Sequence, residues 1–497
     1  MNTNHRKISV LISEIKNQRW IVAVCTLAIG VIFIVLGNLH KQPGFPLDDA
    51  WIHQTYARNL AQSGGWEFIP GQVSAGSTSP LWTMLLSIGF MLGLRTPFIW
   101  TSLLSTGMLI GIALVTNEIL QHFFSKTPII GIAGSLFVIF DWHLLWSSAS
   151  GMETLLYCLA SIYIFWILLS GKYWGWLGAL CGLIVWIRPD GITMLGPVFL
   201  LIIIQIISRN FRFRDGLFFL IPMLGLLVLY GLFNYSISGS VVPNTFFAKQ
   251  TEYASVLQQP FVQRFGNILI VPISGAGIFL MPGFVLAIYQ SVKKHNWWMI
   301  TAILWFLGYG VLYAMRLPMT YQHGRYLFPM IPVFFLIGII GTVRFLSAYK
   351  ETNPKVRNII KPAMIGIFFC SFIFMIAGIK TLAADLQTID RLMVQPAIWI
   401  KENTEIDSLV AVHDIGAMGY FGERKIIDLA GLIQPELIPI IRDEEKIERY
   451  LIEVKADYLV VFEDWYPGFT EIGRLEENFV LETASGIETV DIKKLRY

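Results

Sequence analysis

Charged residues are scarce in this chain. Asp, Glu, Lys and Arg make up 14% of its 497 residues, whereas hydrophobic residues make up 55% and the mean hydropathy is +0.60. A soluble domain has roughly a quarter charged residues, and a fold of this length cannot hide so much apolar surface from water. The composition therefore predicts an integral membrane protein and excludes a soluble enzyme.

Several other features are also lacking. A net charge of +3, with no basic tract in the C-terminal part, gives no support for a nucleic-acid partner. No glycine-rich phosphate loop and no zinc-spaced cluster is present, so the sequence predicts neither a nucleotide site nor a zinc site. The few cysteines all lie in apolar runs and are interpreted as small core residues, not disulfides or metal ligands. They are Cys25, Cys158, Cys181 and Cys370.

Apolar segments of near-spanning length recur along the first three quarters of the chain. Backbone groups in lipid must bond within the segment, so these segments are predicted to be helices. We expect an all-α polytopic membrane bundle of about 11 to 13 helices in residues 1–378. The segments are 20–38, 79–94, 98–121, 127–146, 152–170, 173–187, 191–208, 216–236, 265–289, 297–314, 326–347 and 359–378.

Basic residues in short loops predict the orientation of the bundle. Basic residues precede the first apolar run, so we expect an uncleaved helix with a cytoplasmic N-terminus and an extracytoplasmic loop 39–78. The basic loops 209–214, 293–295 and 350–361 are predicted to be cytoplasmic, which places everything after residue 379 outside. The two rules disagree by one crossing somewhere between 79 and 170. A re-entrant pair, or one segment fewer, would remove the disagreement.

The tail has a different character. Short β-branched runs at 408–412, 425–429 and 458–462 alternate with helical patterns, notably Glu444 to Val454. This alternation predicts a small extracytoplasmic α/β domain over residues 379–497. We expect it to serve packing or acceptor binding, with no chemistry of its own.

The first outer loop has the most suggestive polar pattern. If Asp49 opens a helix, then Asp49, His53 and Tyr56 share one face. The neighbouring face would hold Asp48, Trp51, Thr55 and Arg58. Carboxylates beside an arginine and aromatic rings suit an anionic, sugar-like ligand, since a carboxylate can accept a hydroxyl proton and Arg58 can bind a phosphate. The alternative is that Asp48 and Asp49 only cap an interfacial helix.

The order of several short motifs resembles the GT-C superfamily of membrane glycosyltransferases. The likeness covers most of the chain and is nearest to bacterial enzymes related to the mycobacterial arabinofuranosyltransferases and, more distantly, the protein O-mannosyltransferases. The matching strings are 48–53, 56–60, 76–82, Ser150-Gly151-Met152-Glu153-Thr154, Arg188-Pro189-Asp190-Gly191, 243–249, 321–326, 412–417 and 427–431.

The resemblance implies an inverting glycosyltransferase in the plasma membrane. Such enzymes move a sugar from a polyprenyl-phosphate donor to a glycan, lipid or protein acceptor outside the cytoplasm. The implied catalytic base is Asp48 or Asp49, and we favour Asp49 because of the face that it shares with His53 and Tyr56. No cofactor is expected, and a divalent cation on the two carboxylates is the less favoured alternative.

The same resemblance directs attention to cations that could hold the donor phosphate. These candidates are Arg58, Arg188, Lys249, His323 and Arg325, with His53 and Tyr56 as further donor contacts. Arg188 is the sharpest case, because a charge between apolar stretches needs a partner, for which Asp190 is a candidate. The alternatives are a snorkelling Arg188, an ordinary loop lysine at Lys249 and a structural cap at 323–325.

Two alternatives to an enzyme stay open: a flippase or transporter, and an assembly protein without activity. A polyprenyl-lipid flippase or transporter would show internal repeats and polar residues at helix centres, whereas here the polar residues gather in outer loops. An assembly protein without activity would have no need of Asp48, Asp49 and Arg58. Glu153 is expected to cap its helix.

Overall fold

The computed structural model describes residues 2–39, 44–241, 243–352, 354–483 and 486–495. Most of the chain is helical. The helices before the tail are α1 (Asn2–Gly37), α2 (Asp48–Ser63), α3 (Pro80–Met91), α4 (Pro97–Phe123), α5 (Pro128–Ile139), α6 (Trp142–Ala149), α7 (Thr154–Ser170), α8 (Trp174–Ile187), α9 (Leu195–Ile207), α10 (Phe213–Ser238), α11 (Asn244–Glu252), α12 (Phe261–Ile270), α13 (Met281–Lys293), α14 (Trp297–Arg316), α15 (Met330–Thr352) and α16 (Pro354–Ile389). Between α2 and α3 lies a small hairpin of β1 (Glu67–Ile69) and β2 (Gln72–Val73).

The protein is a multi-pass membrane protein by the length and composition of its helices. Among the described residues, eight stretches are long and apolar enough to span a bilayer: Asn17–Gly37, Pro97–Phe123, Pro189–Ile207, Phe213–Ser238, Ala276–Lys293, Trp297–Arg316, Met330–Tyr349 and Pro362–Asn403. Three further apolar helices, α3, α7 and α8, have 10–17 residues. They are shorter than the ~20 residues that a perpendicular span needs. The number of full-length spans is therefore smaller than the number of membrane helices predicted from the sequence.

A bent helix pair lies in the stretch where the orientation rules disagree. Helices α5 and α6 meet at 60° and together have the length and composition of one span, so the pair is a broken span or a re-entrant loop. Asp141 follows the end of the first arm and caps the second, accepting hydrogen bonds from the backbone N–H groups of His143 (3.1 Å) and Leu144 (3.3 Å). A re-entrant pair here is one of the two arrangements that would reconcile the orientation rules.

The tail forms an α/β domain built on a five-stranded sheet of order β4-β3-β5-β7-β6. Its elements are α17 (Gln395–Asn403), β3 (Leu409–Val412), α18 (Ile415–Ala417), β4 (Lys425–Asp428), α19 (Glu444–Val454), β5 (Tyr458–Phe462), β6 (Arg474–Thr483) and β7 (Gly486–Lys494). β3 is parallel to β4 and β5, whereas β7 is antiparallel to β5 and β6. The three predicted strands and the helix at 444–454 are present. The predicted boundary at residue 379 falls within α16, which continues to Ile389.

The sheet is covered on both faces by apolar packing. One face packs against α19, with Ile427 and Leu459 meeting Ile447 and Leu451. The other face packs against the first loop, through a cluster that joins strand residues to α2 and β1. That cluster includes Ile52, Tyr56, Trp66, Phe68, Val410, Val412, Ile415, Met418, Tyr458, Val460, Val490 and Ile492. Helix α2 is therefore held between the membrane bundle and the sheet.

Candidate active site

One face of α2 is fixed to the C-terminal domain by hydrogen bonds. The buried carboxylate of Asp48 accepts from the backbone N–H groups of Gly416 and Ala417, each at 2.7 Å. A β-carbon at Gly416 would overlap the Asp48 carbonyl oxygen. About one turn onward, Trp51 packs on Tyr420 and Phe421. Asp48 thus belongs to the contact between the loop and the sheet domain.

Arg58 continues the same face. Its guanidinium donates to the carbonyl oxygens of Tyr420 (2.9 Å) and Gly419 (3.3 Å) and lies 4.6 Å from the centroid of the Tyr420 ring. The two hydrogen bonds depend on the forked donors of the guanidinium, and the ring contact depends on its flat face. The structure places Arg58 at the domain contact, apart from the other candidate phosphate-binding cations.

The other face of α2 directs Asp49 towards the membrane bundle, into a cluster of charges. One carboxylate oxygen of Asp49 accepts from Arg325 and lies 3.4 Å from the Lys249 ammonium. Lys249 also donates to the Tyr326 hydroxyl at 2.6 Å, and Arg325 approaches the same hydroxyl at 3.3 Å. The Asp49 side chain is 29% exposed, whereas that of Arg325 is 3% exposed. We call Asp49, Lys249, Arg325 and Tyr326 the charged cluster.

Arg325 is not fully satisfied within this cluster. Its Nε and Nη1 atoms are buried and have no hydrogen-bond partner among the described residues. Buried polar groups are normally paired, and an unpaired charged donor is costly. Two donors of the guanidinium are therefore available to an acceptor atom that the described residues do not supply.

Two irregular segments bring these cations to Asp49. Helix α11 starts after Pro243 and carries Lys249 in its last turn. Arg325 follows three successive residues in the left-handed region: Gln322, His323 and Gly324, with φ of 50°, 62° and 72°. Non-glycine residues cost roughly 1–2 kcal/mol each in that region. Such strain persists only where surrounding contacts hold the turn, and functional sites are where it gathers.

The electrostatics of the cluster favour an ionised Asp49. Burial acts to raise the pKa of Asp49, but the charges of Lys249 and Arg325 outweigh burial and hold it well below its usual range. Burial lowers the pKa of Lys249, but Asp49 and the neighbouring tyrosines outweigh burial, and the pKa is raised. Asp48 behaves oppositely, because burial and the charge of Asp414 raise its pKa to about 8 although two backbone N–H groups donate to it.

A second charged group lies against the first and is centred on Arg188. Its guanidinium pairs with Asp190 (3.0 Å) and Glu153 (3.2 Å) and donates to the Tyr313 hydroxyl (3.0 Å). It also lies 4.9 Å from the centroid of the Tyr326 ring. Asp190 is the partner that the sequence suggested for Arg188. With Glu153 and Asp190 both beside it, the charge of Arg188 is already balanced.

His53 links the two groups on the Asp49 face of α2. Its Nε2 atom lies 3.6 Å from the second carboxylate oxygen of Glu153, and its Nδ1 atom lies 3.0 Å from the Ser77 hydroxyl. The turn before Glu153 packs tightly, because Gly151 has φ of 77° and a β-carbon there would meet Ala50 and Phe45. The expected helix cap at Glu153 is wrong, since its side chain makes no cap hydrogen bond.

Two remaining candidates have other partners. The hydroxyl of Tyr56 bonds the Ser74 hydroxyl (2.6 Å) and accepts from Gly76 N–H (2.8 Å), which orders the loop before α3. His323 pairs with Asp385 at 2.8 Å, and Trp146 donates to the same carboxylate oxygen at 2.8 Å. His323 thus binds at α16, although Arg325 lies only two residues away.

Sequence reasoning did not name Tyr326, Glu153 or Asp190 as site residues. A signal existed for two of them, since a carboxylate within a membrane-domain motif is costly unless it has a partner. Tyr326 had no such signal among so many aromatic residues. Within the described ranges, no group of three or more His, Cys, Asp or Glu is arranged to hold a metal ion.

Comparisons with known proteins support the architecture. A family profile described as a domain of unknown function, DUF8728, matches residues 383–492. No curated protein sequence matches the chain. Among solved structures, ArnT from Cupriavidus metallidurans bound to undecaprenyl phosphate is similar, with 11% identity and a TM-score of 0.56 over 94% of this chain and 97% of that chain.

An oligosaccharyltransferase is similar to the same extent. AglB from Archaeoglobus fulgidus, in complex with an inhibitory peptide and a dolichol-phosphate, has 12% identity and a TM-score of 0.55 over 97% of this chain and 74% of that chain. The apo form of the A. fulgidus enzyme has 12% identity and a TM-score of 0.55 over 91% and 70%. The protein therefore has the GT-C fold, as its motifs predicted.

Proposed function

We propose that the protein is an inverting glycosyltransferase. It moves a sugar from a polyprenyl-phosphate donor to a hydroxyl of an extracytoplasmic envelope acceptor, which is a glycan, a lipid or a protein. The observation that carries this proposal is the charged cluster, in which the partly exposed Asp49 lies against Lys249 and the buried Arg325. A carboxylate and two cations at one point suit a reaction that takes a proton from one oxygen and releases another as an anion.

The cations provide the site for the donor phosphate. Arg325 has two buried donors that find no partner in the described part of the chain, and the Lys249 ammonium and the Tyr326 hydroxyl lie beside it. Arginine and lysine are the side chains that bind phosphate oxygens best. The likeness to ArnT bound to undecaprenyl phosphate, and to AglB with dolichol-phosphate, supports a lipid-linked phosphate as the ligand.

The reaction follows from these positions. The acceptor hydroxyl attacks the anomeric carbon, so a new carbon–oxygen bond forms while the bond from that carbon to the phosphate oxygen breaks. The hydroxyl proton passes to the Asp49 carboxylate, and the electron pair leaves on the polyprenyl phosphate. Lys249 and Arg325 stabilise the departing phosphate, so the leaving group needs no proton. Attack opposite the phosphate inverts the anomeric configuration.

Donor binding would also prepare the base. In the unliganded protein Lys249 and Arg325 hold the pKa of Asp49 low, which makes it a weak proton acceptor. A phosphate that bonds both cations offsets their charge at Asp49 and raises its pKa. The carboxylate then becomes a stronger base only when a donor is present, which disfavours proton uptake in the empty site.

Asp49 suits the role of base better than Asp48. Both oxygens of Asp48 are occupied by backbone N–H groups of the C-terminal domain, and only 7% of the residue is exposed. Arg188 is paired with two carboxylates and positions the charged cluster by packing against the ring of Tyr326. Arg58 and Tyr56 hold the first loop in place. We assign no metal to the reaction, because Lys249 and Arg325 supply the positive charge that the phosphate needs.

The test is a transfer assay with purified protein. Wild type and Lys249→Met are incubated with a panel of radiolabelled polyprenyl-phosphate sugars and a crude envelope acceptor, and the anomeric configuration of the product is read by NMR. Lys172→Met, an exposed lysine outside the cluster, is the matched control. We expect transfer with inversion by wild type and the control, and a strong loss in Lys249→Met.

Two results would contradict the proposal. Retention of configuration would exclude direct attack with Asp49 as base. No transfer from any donor, together with movement of the labelled lipid across the membrane of reconstituted vesicles, would indicate that the protein is a flippase and not a glycosyltransferase.

A further inference from the structure

A basic groove lies at the end of the bundle remote from the charged cluster. It has a volume of about 640 Å³ and is lined by Phe124, Gln290, Lys294, Asn296, Arg344 and Ser347. Helix α15 begins at Met330, just after Arg325 and Tyr326, and reaches Arg344 some 14 residues later. At 1.5 Å per residue this separation is about 20 Å along the helix. The groove and the active site are therefore distinct.

The two cations of the groove, Lys294 and Arg344, differ from those of the active site because neither has a counter-ion among the residues that the structure describes. Arg325, Lys249 and Arg188 all pair with carboxylates. No described carboxylate pairs with Arg344 or Lys294, and the guanidinium of Arg344 lies over the ring of Phe123, 5.1 Å from its centroid. Arg344 is partly buried and lies five residues from the end of the spanning stretch Met330–Tyr349, where a long cationic side chain can reach the lipid headgroups. Such a charge indicates an anion supplied from outside the chain.

The local backbone favours an anion at the same point. Helix α14 begins beside the groove, after Asn296 caps it by accepting from Met299 N–H at 3.2 Å. The first N–H groups of a helix and its dipole attract negative charge. Together with Lys294 and Arg344, the start of α14 gives one groove three sources of positive potential.

The surroundings of the groove are apolar and exposed. Val292, Phe345 and Tyr349, which neighbour the lining residues on α13 and α15, are 60%, 42% and 45% exposed. In a spanning protein such surfaces face acyl chains. The groove also belongs to the end of the bundle that carries the basic loop 293–295, which is predicted to face the anionic cytoplasmic leaflet. An anion with apolar chains fits these surroundings better than a free ion does.

We propose that this groove binds the phosphate headgroup of an anionic membrane lipid. Arg344 and Lys294 bond the phosphate oxygens at the start of α14, and the acyl chains lie along the apolar surface of α13 and α15. Phe124 closes the groove on the side of α4. The bound lipid joins four helices, α4, α13, α14 and α15, at the end opposite to the active site.

The test uses a photo-crosslinkable phosphatidylglycerol. Full-length protein is placed in phosphatidylcholine nanodiscs that contain the probe, and the labelled peptides are mapped by mass spectrometry. We expect labelling within residues 286–300 and 340–349, with competition by unlabelled phosphatidylglycerol and none by phosphatidylcholine. The variants are Lys294→Gln, Arg344→Gln and the double variant. The matched control is Lys293→Gln, because Lys293 lies 5.8 Å from the centroid of the Tyr289 ring and does not line the groove.

The variants should separate lipid binding from general attraction to the membrane. We expect each groove substitution to reduce labelling about fivefold, the equivalent of one cation near an anionic surface. Arg344→Lys should restore part of it, and Lys293→Gln should label like wild type. Equal labelling in the double variant and wild type would overturn the proposal. So would competition by millimolar inorganic phosphate, which would indicate a soluble anion. A melting curve for each variant confirms that the protein is folded.

Discussion

Two neighbouring acidic residues on one helix have opposite surroundings. Asp48 lies on the face of α2 that binds the C-terminal domain, where both its oxygens accept backbone N–H groups. Asp49 lies on the next face, where Lys249 and Arg325 hold it ionised and partly open to solvent. A rotation of about 100° per residue along the helix separates the carboxylate that anchors the C-terminal domain from the one that we propose as the base. The chemistry of an aspartate here depends on which face of the helix carries it.

The largest effect is expected from Asp49→Asn. The amide cannot accept the proton of the acceptor hydroxyl, and removal of a general base lowers a rate by about 10² to 10⁴-fold. The transfer rate at saturating donor measures this loss. Because Lys249 and Arg325 lose their counter-ion in this variant, a melting curve establishes that the assayed protein is folded. Asp48→Asn is compared at an equal amount of folded protein, and a rate loss confined to that variant would reverse the roles of the two residues.

Arg325→Gln should weaken donor binding more than it destabilises the protein. A hydrogen bond to a charged group contributes roughly 1.5–3 kcal/mol, which corresponds to about 10- to 100-fold in the dissociation constant of a polyprenyl phosphate. The variant also raises the pKa of Asp49, because one of the cations that lowers it is gone. The acid limb of the transfer rate should therefore move to higher pH.

Arg325→Lys separates charge from geometry in that experiment. It keeps the positive charge and loses the paired donors of the guanidinium. Affinity close to that of wild type in Arg325→Lys would show that charge alone suffices. Unchanged affinity in Arg325→Gln would remove Arg325 from the donor site.

Asp48→Asn should destabilise the protein and change its pH dependence. An asparagine has one oxygen for two N–H donors, so one buried donor loses its partner at a cost of about 1–3 kcal/mol. The pKa of Asp48 is raised from 3.8 to about 8 in the folded protein. Its stabilising contribution is therefore complete below pH 3.8, declines as the unfolded chain releases its proton, and is lost by about pH 8.

Melting of wild type and variant across this range measures both effects. We expect wild type to lose stability between about pH 4 and 8 and Asp48→Asn to lose less. Parallel curves would show that Asp48 does not change its proton affinity on folding, while leaving its hydrogen bonds in place.

The smallest effect is expected from Arg58→Lys. A lysine keeps the charge but cannot donate to two carbonyl oxygens while lying flat on the Tyr420 ring, so we expect a loss of about 1 kcal/mol in stability. Donor affinity should stay unchanged, because Arg58 lies at the domain contact. Weaker donor binding in Arg58→Lys, with no loss in melting temperature, would return Arg58 to the donor site.

Much of the fold could be predicted because it depends on local patterns. Most of the apolar segments predicted from residue 20 to 378 coincide with one helix each, and α19 has the predicted bounds. The exceptions are 127–146, which is divided between α5 and α6, and 265–289, which is divided between α12 and α13. The β6–β7 hairpin was missed, since β6 is largely polar and only alternate residues such as Phe479 and Leu481 are buried. A polar edge strand has a weaker apolar signal than strands buried on both faces.

The site was predicted in part for a similar reason. The helical periodicity of residues 48–58 was sufficient to separate the Asp48, Trp51 and Arg58 face from the Asp49 and His53 face. It could not say that the first of these faces would meet Gly416 and Tyr420, more than 350 residues away. Because such distant contacts cannot be predicted from helical periodicity, the sequence could not distinguish Arg58 from Arg325 as a phosphate-binding residue.

The sequence by itself determined that the bundle lies in lipid, where its helices are, and which residues of α2 share a face. These properties follow from hydropathy and from the period of a helix. Only the tertiary structure decided which carboxylate is anchored and which is paired with Lys249 and Arg325. That choice depends on contacts between residues some 200 and 276 positions apart in the chain. Charge interactions depend on distance and burial in space, and neither can be read from spacing along the chain.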